Sequence, residues 1–135
     1  MTQATMQQNA MFTGGFSSFS VNNIDASKQF YGETLGLDVR QTAEGLSVSI
    51  PNGDNVFLYP KGDHEPAVFT VFNLFVSDIA QAVAELTGRG IEFLQYGEPI
   101  TTDDKGIFWG GKQGRGPNIA WFKDPSENIL SVIEK

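Results

Sequence analysis

Apolar and polar positions along this chain change period several times, and the changes mark out elements. Phe16 to Val21 alternates with period two, as a half-buried strand does, with Phe19 and Val21 on one face and Phe16, Ser18 and Ser20 on the other. From Asn23, a residue suited to cap a helix, Ile24, Ser27, Phe30, Tyr31 and Thr34 recur at helical spacing until Gly36 offers a stop. Leu37 to Arg40 is extended again. Leu46 to Ile50 and Val56 to Tyr59 then flank the turn formers Pro51-Asn52-Gly53-Asp54-Asn55, which predicts a hairpin.

The same order returns in the second half. Val71 to Val76 reads as a strand, Asp78 with Gln81 as a helix start, and Ile79, Ala82, Val83 and Leu86 as an apolar helix stripe ended by Gly88 and Gly90. Ile91 to Tyr96 is predicted as a strand. Asn118 to Lys123 and Ile129 to Ile133 form a closing hairpin around Asp124-Pro125-Ser126-Glu127-Asn128. Val21-x-Asn23-Ile24 aligns with Val76-x-Asp78-Ile79, and Leu35-Gly36-Leu37 with Arg89-Gly90-Ile91, so the chain is a strand-helix-three-strand unit used twice. Module one covers 16–60, a polar linker 61–67, and module two 68–135. Residues 97–117 break the repeat as a long Gly-rich loop, read as a lid, or else as an insertion carrying a short strand at Ile107-Phe108-Trp109.

Composition narrows the chemistry. The 135 residues are enough for one domain with a real core, and residues 1–15 read as a flexible arm. The absence of Cys removes disulfides, thiolate nucleophiles and zinc-thiolate sites. A net charge of -7, from 9 Lys+Arg against 16 Asp+Glu, argues against nucleic acid and anionic membrane as partners. No apolar run approaches the roughly 20 residues of a membrane span, and no leader pattern opens the chain, so a cytoplasmic protein is expected. The one imidazole, His64, lies in the linker beside Asp63 and Glu65 and reads as a solvated side chain.

Val21-Asn22-Asn23-Ile24 running into Phe30-Tyr31 and Leu35-Gly36-Leu37, together with Asp124-Pro125-Ser126-Glu127-Asn128, resembles the vicinal oxygen chelate superfamily of glyoxalases, bleomycin resistance proteins and extradiol dioxygenases. That resemblance implies an α+β fold of two βαβββ modules, forming a curved, mostly antiparallel eight-stranded sheet with helices on the convex side and a site on the concave side. It also implies a divalent metal held by four His or Glu side chains on the first and last strands of each module. Carried onto this chain, those positions fall on Phe16, Leu58, Val71 and Ser131, none of which replaces a His or carboxylate. Metal and cofactor are therefore expected to be absent. Glu127 stands where many relatives have Gly, so a left-handed turn there would be strained.

Alternation assigns Phe16, Ser18, Ser47, Ser49, Leu58, Val71, Asn73, Trp121 and Ser131 to an apolar, aromatic and uncharged cleft, and Trp109 from the long loop is read as a residue that stacks on an aromatic ligand there, or else as a loop anchor. The expected function is binding of a mostly apolar or aromatic small molecule by a homodimer, as bleomycin resistance members bind theirs. Two alternatives remain open at this stage. One is an enzyme of glyoxalase, lyase or isomerase type drawing its acid or base from Asp103, Asp104 or Tyr96; the other is a non-catalytic dimeric interaction module.

Overall fold

A computed structural model describes residues 11–135. The arm read over 1–15 therefore lies mostly outside the described residues. Module one is β1 (Ser17–Val21), α1 (Ile24–Gln29) continuing into a π-helical turn (Phe30–Thr34), β2 (Asp38–Gln41), β3 (Leu46–Ser49) and β4 (Asn55–Pro60). Module two is β5 (Thr70–Val76), α2 (Ile79–Gly88), β6 (Ile107–Trp109), α3 (Gly110–Gln113), β7 (Asn118–Lys123) and β8 (Ile129–Glu134). No helix among the described residues is long and apolar enough to cross a membrane.

The eight strands divide into two four-stranded sheets with one shared topology, β1-β4-β3-β2 and β5-β8-β7-β6. In each, the first strand lies parallel to the last and the remaining neighbours are antiparallel. This is the expected pair of βαβββ modules. The helix starts follow from their caps: Asn23 Oδ1 accepts the Ala26 N–H at 2.9 Å, and Asp78 Oδ1 accepts the Gln81 N–H at 3.1 Å.

One segment differs from its sequence reading. Ile91 to Tyr96 is not a strand; its backbone meets β7 through the Phe93–Phe122 bridge and the Leu94 N–H donated to the Trp121 carbonyl at 2.8 Å. The physical reason is competition for one edge. Ile107–Trp109, from the middle of the long loop, pairs with Asn118–Ala120 and takes the rest of that edge as β6.

A single core joins the modules. Val21, Tyr31, Leu46, Val48 and Leu58 from the first cluster with Phe72, Ile79, Val83, Phe122 and Leu130 from the second. Tyr31 stacks on Phe72 with centroids 6.3 Å apart, and Phe30 lies 6.3 Å from Phe122, so the helical segment of module one packs on residues of the second sheet.

The polar part of this joint centres on Asp124, which is buried. Its Oδ1 accepts the backbone N–H groups of Ser126 and Asn128, each at 2.8 Å; its Oδ2 accepts the Tyr31 hydroxyl at 2.7 Å and the Asn128 amide at 3.0 Å. Asn128 Nδ2 also donates to the Ser20 carbonyl, and Ser126 Oγ accepts the Asn22 N–H, both at 2.9 Å. The closing turn is thereby bonded to the end of β1, more than a hundred residues earlier in sequence. Glu127 sits in this turn at φ 65°, the left-handed conformation that a side chain makes costly.

His64 corrects the expectation of a solvated imidazole. Its Nε2 donates to the Ser126 carbonyl at 3.0 Å while Nδ1 lies 2.6 Å from Ser20 Oγ, so the linker is bonded across the joint.

Burial first, and then the neighbouring Asp124 charge, push the Tyr31 phenol far above its ordinary value, so it remains a proton donor at any working pH. Tyr31→Phe removes one of four donors from a buried carboxylate. The expected loss is about 2 kcal/mol of unfolding free energy, measured by urea denaturation. Retention of full stability would show that the bond contributes nothing net.

Candidate functional site

Each sheet has one face turned to the core and one turned away, and cross-strand register decides which side chains share the outer face. On the first sheet, Arg40, Ser47, Phe57 and Ser18 lie opposite one another in a row, with Asp38 and Ser49 in the next. Leu58 does not belong with them. It is paired with Leu46, both are fully buried, and the outer position is taken by its neighbour Phe57. The cleft assignment of Leu58 was thus one residue out of register, the error that exchanges the two faces of a strand. The expectation of a surface without charge is also corrected, because Asp38 and Arg40 are exposed on this face.

On the second sheet, Asn73, Ser131 and Trp121 are cross-strand neighbours. Ser131 is fully buried, and its hydroxyl donates to Asn73 Oδ1 at 2.5 Å. Val71 is half-buried and packs against the core cluster. Trp109 is the second correction. Phe108 is the residue paired with Ile119 on the Trp121 face, so Trp109 points to the other side, where its indole N–H is donated to Asp103 Oδ2 at 2.9 Å. The Lys112 ammonium lies 4.8 Å from its ring centroid.

The expected site residues are therefore distributed over several spaces. Phe16 and Ser47 line a hollow of about 510 Å³ on the first sheet, together with Asn55 and Phe57. Asn73 borders a trough between the modules. Ser18 and Ser49 border none of these spaces. Trp121 lines a hollow of about 400 Å³ on the second sheet together with Val68, Phe69, Tyr96, Pro99, Ile100 and Ile129, and with the carboxylate residue Glu98 among them.

That last hollow is lined mainly by apolar side chains, several of them exposed. Tyr96 meets Trp121 edge to face, with centroids 5.3 Å apart and planes at 90°. Val68 is 95% exposed and Phe69 66%, with Tyr96 and Ile100 also exposed beside them. Sequence reading missed Val68, Phe69 and Ile100, and considered Tyr96 only as an acid or base. The available signal was the apolar pair Val68-Phe69 directly after a polar linker, where a loop offers no reason for it.

The loop beside this hollow is fastened rather than free. Tyr96 and Thr102 close it, the Tyr96 N–H donating to Thr102 Oγ1 at 2.9 Å and the Thr102 N–H to the Tyr96 carbonyl at 3.1 Å. Asp103 anchors its base, with Oδ1 accepting the N–H groups of Lys105 and Ile107, each at 2.9 Å, while Oδ2 accepts the Trp109 indole. Asp103 is thus a turn-forming carboxylate engaged by three donors, not a group presented to a substrate.

The four positions at which relatives hold a metal do not fit one here. Phe57, rather than Leu58, takes the outer position on β4; Phe16 is exposed; Val71 is aliphatic; and the Ser131 hydroxyl is committed to Asn73. Among the described residues, no three His, Cys, Asp or Glu side chains are grouped to hold a metal ion.

Comparison with known proteins agrees with this architecture. The family model described as Glyoxalase/Bleomycin resistance protein/Dioxygenase superfamily matches residues 15–132. The chain belongs to this superfamily.

A glyoxalase family protein from Enterococcus faecalis superimposes with a TM-score of 0.63 at 21% identity, covering 92% of this chain and 99% of the other. TnmS3, an antibiotic binding protein from Streptomyces sp. CB03234, superimposes with a TM-score of 0.62 at 22% identity, covering 92% and 98%. No curated protein sequence matches the chain. At these identities the structural likeness speaks to fold, and the superfamily's range of activities leaves the site itself to decide function.

Burial pushes the Asp103 carboxyl up, but the N–H groups of Ile107, the Trp109 indole and Lys105 outweigh it and hold the group below the usual carboxylate range. A depressed folded-state value contributes stability above the unfolded value, near about 3.9, and that contribution is lost as pH falls through the folded value. Asp103→Asn should therefore be less stable than the parent at neutral pH, with the gap narrowing below about pH 4. Thermal melts across pH check this, and a gap that stays constant or widens in acid would contradict the assigned role.

Proposed function

We propose that this superfamily member binds a mostly apolar, aromatic small molecule on the outer face of its second sheet, in the hollow formed by Trp121, Tyr96 and the 96–100 loop, without a metal or cofactor. The single observation that carries the reading is the aromatic pair of exposed Tyr96 and half-buried Trp121. An edge-to-face Tyr96–Trp121 contact flanked by exposed Val68, Phe69 and Ile100 gathers aromatic and aliphatic side chains around one hollow, the lining chemistry of a small-molecule site. Further support comes from the metal-ligand positions, which hold Phe, Val and Ser side chains, and from the fold shared with an antibiotic binding protein.

Binding is read by tryptophan fluorescence during titration with a panel of planar aromatic compounds. A ligand that quenches saturably should bind about tenfold or more weakly to Trp121→Ala, measured by isothermal titration calorimetry because that variant lacks the reporting indole, corresponding to roughly 1.4 kcal/mol of lost contact. Absence of a saturable response to every member of the panel would sink the proposal.

On the same reading the protein is a homodimer. Phe16 and Phe75 are 71% and 65% exposed on the two outer faces, surface that a second copy would cover. Light scattering on a size-exclusion column should give twice the 14.7 kDa chain mass; a monomer at high micromolar concentration would refute the dimer while leaving the ligand site open to test.

A further inference from the structure

The two modules meet at two joints related by the internal repeat, and only one of them is filled. At the first, the end of β1 meets the turn before β8, and Tyr31, Asp124, Ser126 and Asn128 are all buried and bonded. At the second, the end of β5 meets the turn before β4. Counting from the helix caps Asn23 and Asp78, Leu86 occupies the place of Tyr31. Counting back from the paired positions Ser17↔Val56 and Phe72↔Leu130, Ile50 occupies the place of Asp124. A ring and a carboxylate that meet in the first joint are replaced by two aliphatic side chains that do not fill the second.

What remains is a half-enclosed trough of about 550 Å³, walled by Leu35, Leu37, Ile50, Leu74 and Leu86. None of these five side chains is classed as fully buried, although each packs on the core cluster. The volume lies within the roughly 300–1,000 Å³ of small-molecule sites. The polar side chains among its lining residues are Asn52, Asn73, Glu85 and Arg89. Arg89 and Glu85 form an ion pair with each other, and Arg89 Nη1 also donates to the Thr34 carbonyl at 2.9 Å. Asn73 has its carbonyl oxygen occupied by the Ser131 hydroxyl, which leaves its amide N–H groups as donors.

We infer that this trough is a second ligand site, separate from the aromatic hollow and specific for an uncharged, largely aliphatic molecule carrying one hydrogen-bond acceptor. The walls select the aliphatic body, because Leu and Ile dominate them and Phe75 is the one aromatic side chain among the lining residues, whereas Trp121 and Tyr96 line the other site. The paired charges at the rim disfavour a charged ligand, which would have to break the Arg89–Glu85 pair to gain a partner. The Asn73 amide supplies the donor that a carbonyl would take.

The test is a methyl NMR titration of the full chain with the aliphatic ketone decan-2-one. Saturable shifts are expected at the methyl groups of Leu35, Leu37, Ile50, Leu74 and Leu86, with the Trp121 indole resonance unmoved. Leu86→Trp should fill the trough and weaken binding at least tenfold while leaving aromatic ligands bound as before. If that variant misfolds, Leu86→Phe serves, with a melting temperature equal to or above the parent's and the same loss of ketone binding. Three results would overturn the inference: no saturable shift at these methyls, unchanged ketone affinity in a folded filling variant, or contacts from these methyls to a second copy in a mixed-label sample.

Discussion

A buried carboxylate is expensive to remove from water unless each of its lone pairs finds a donor, and Asp124 meets that condition with four. Two of the donors are backbone groups of its own turn, one is the amide of Asn128, and the fourth is the phenol of Tyr31 from the other module. The requirement therefore cannot be met by module two alone. It fixes where the helical segment of module one lies, and with Asn128 on Ser20 and His64 on Ser126 it fixes β1 and the linker as well. The outer face of each sheet is what remains once the inner faces have been committed to this joint and the shared core.

The repeated units then diverge in what they leave outside. The first outer face carries serines, Phe57 and the charged pair Asp38 and Arg40, a surface that water solvates readily. The second carries Trp121, with Tyr96 held against it by a loop whose base is fastened by Asp103. Among the described residues, neither face groups three or more His, Cys, Asp or Glu side chains that could hold a metal ion. On the proposed reading, ligand would be held at the second face by aromatic contact and desolvation.

Much of the fold was legible because it rests on local pattern. Helix caps at Asn23 and Asp78, the two hairpins and the repeat itself are set by residues close in sequence, and all are present. Period two also sorted Ser18, Ser47, Asn73, Trp121 and Ser131 onto outer faces. It failed at Leu58, where the register was counted one residue out and a core side chain was exchanged for an outer one; Trp109, read as a stacking residue of the long loop, instead lies on the other side of β6 from Phe108. The short strand Ile107–Trp109 displaced Ile91–Tyr96 through competition for one edge of β7, which no local pattern reveals. The same holds for His64, whose partners lie 44 and 62 residues away, and for Tyr96, whose contact with Trp121 depends on how the loop returns.

The central claim is that ligand meets the protein at Trp121 and not at the other tryptophan, and the two indoles report on opposite faces of one sheet. An ¹⁵N NMR spectrum of the two indole N–H groups, recorded with and without an aromatic ligand that quenches fluorescence, measures this directly. The account predicts that the Trp121 resonance shifts in proportion to saturation while that of Trp109, bonded to Asp103, stays in place. A shift confined to Trp109, or saturation with neither resonance moving, would contradict it.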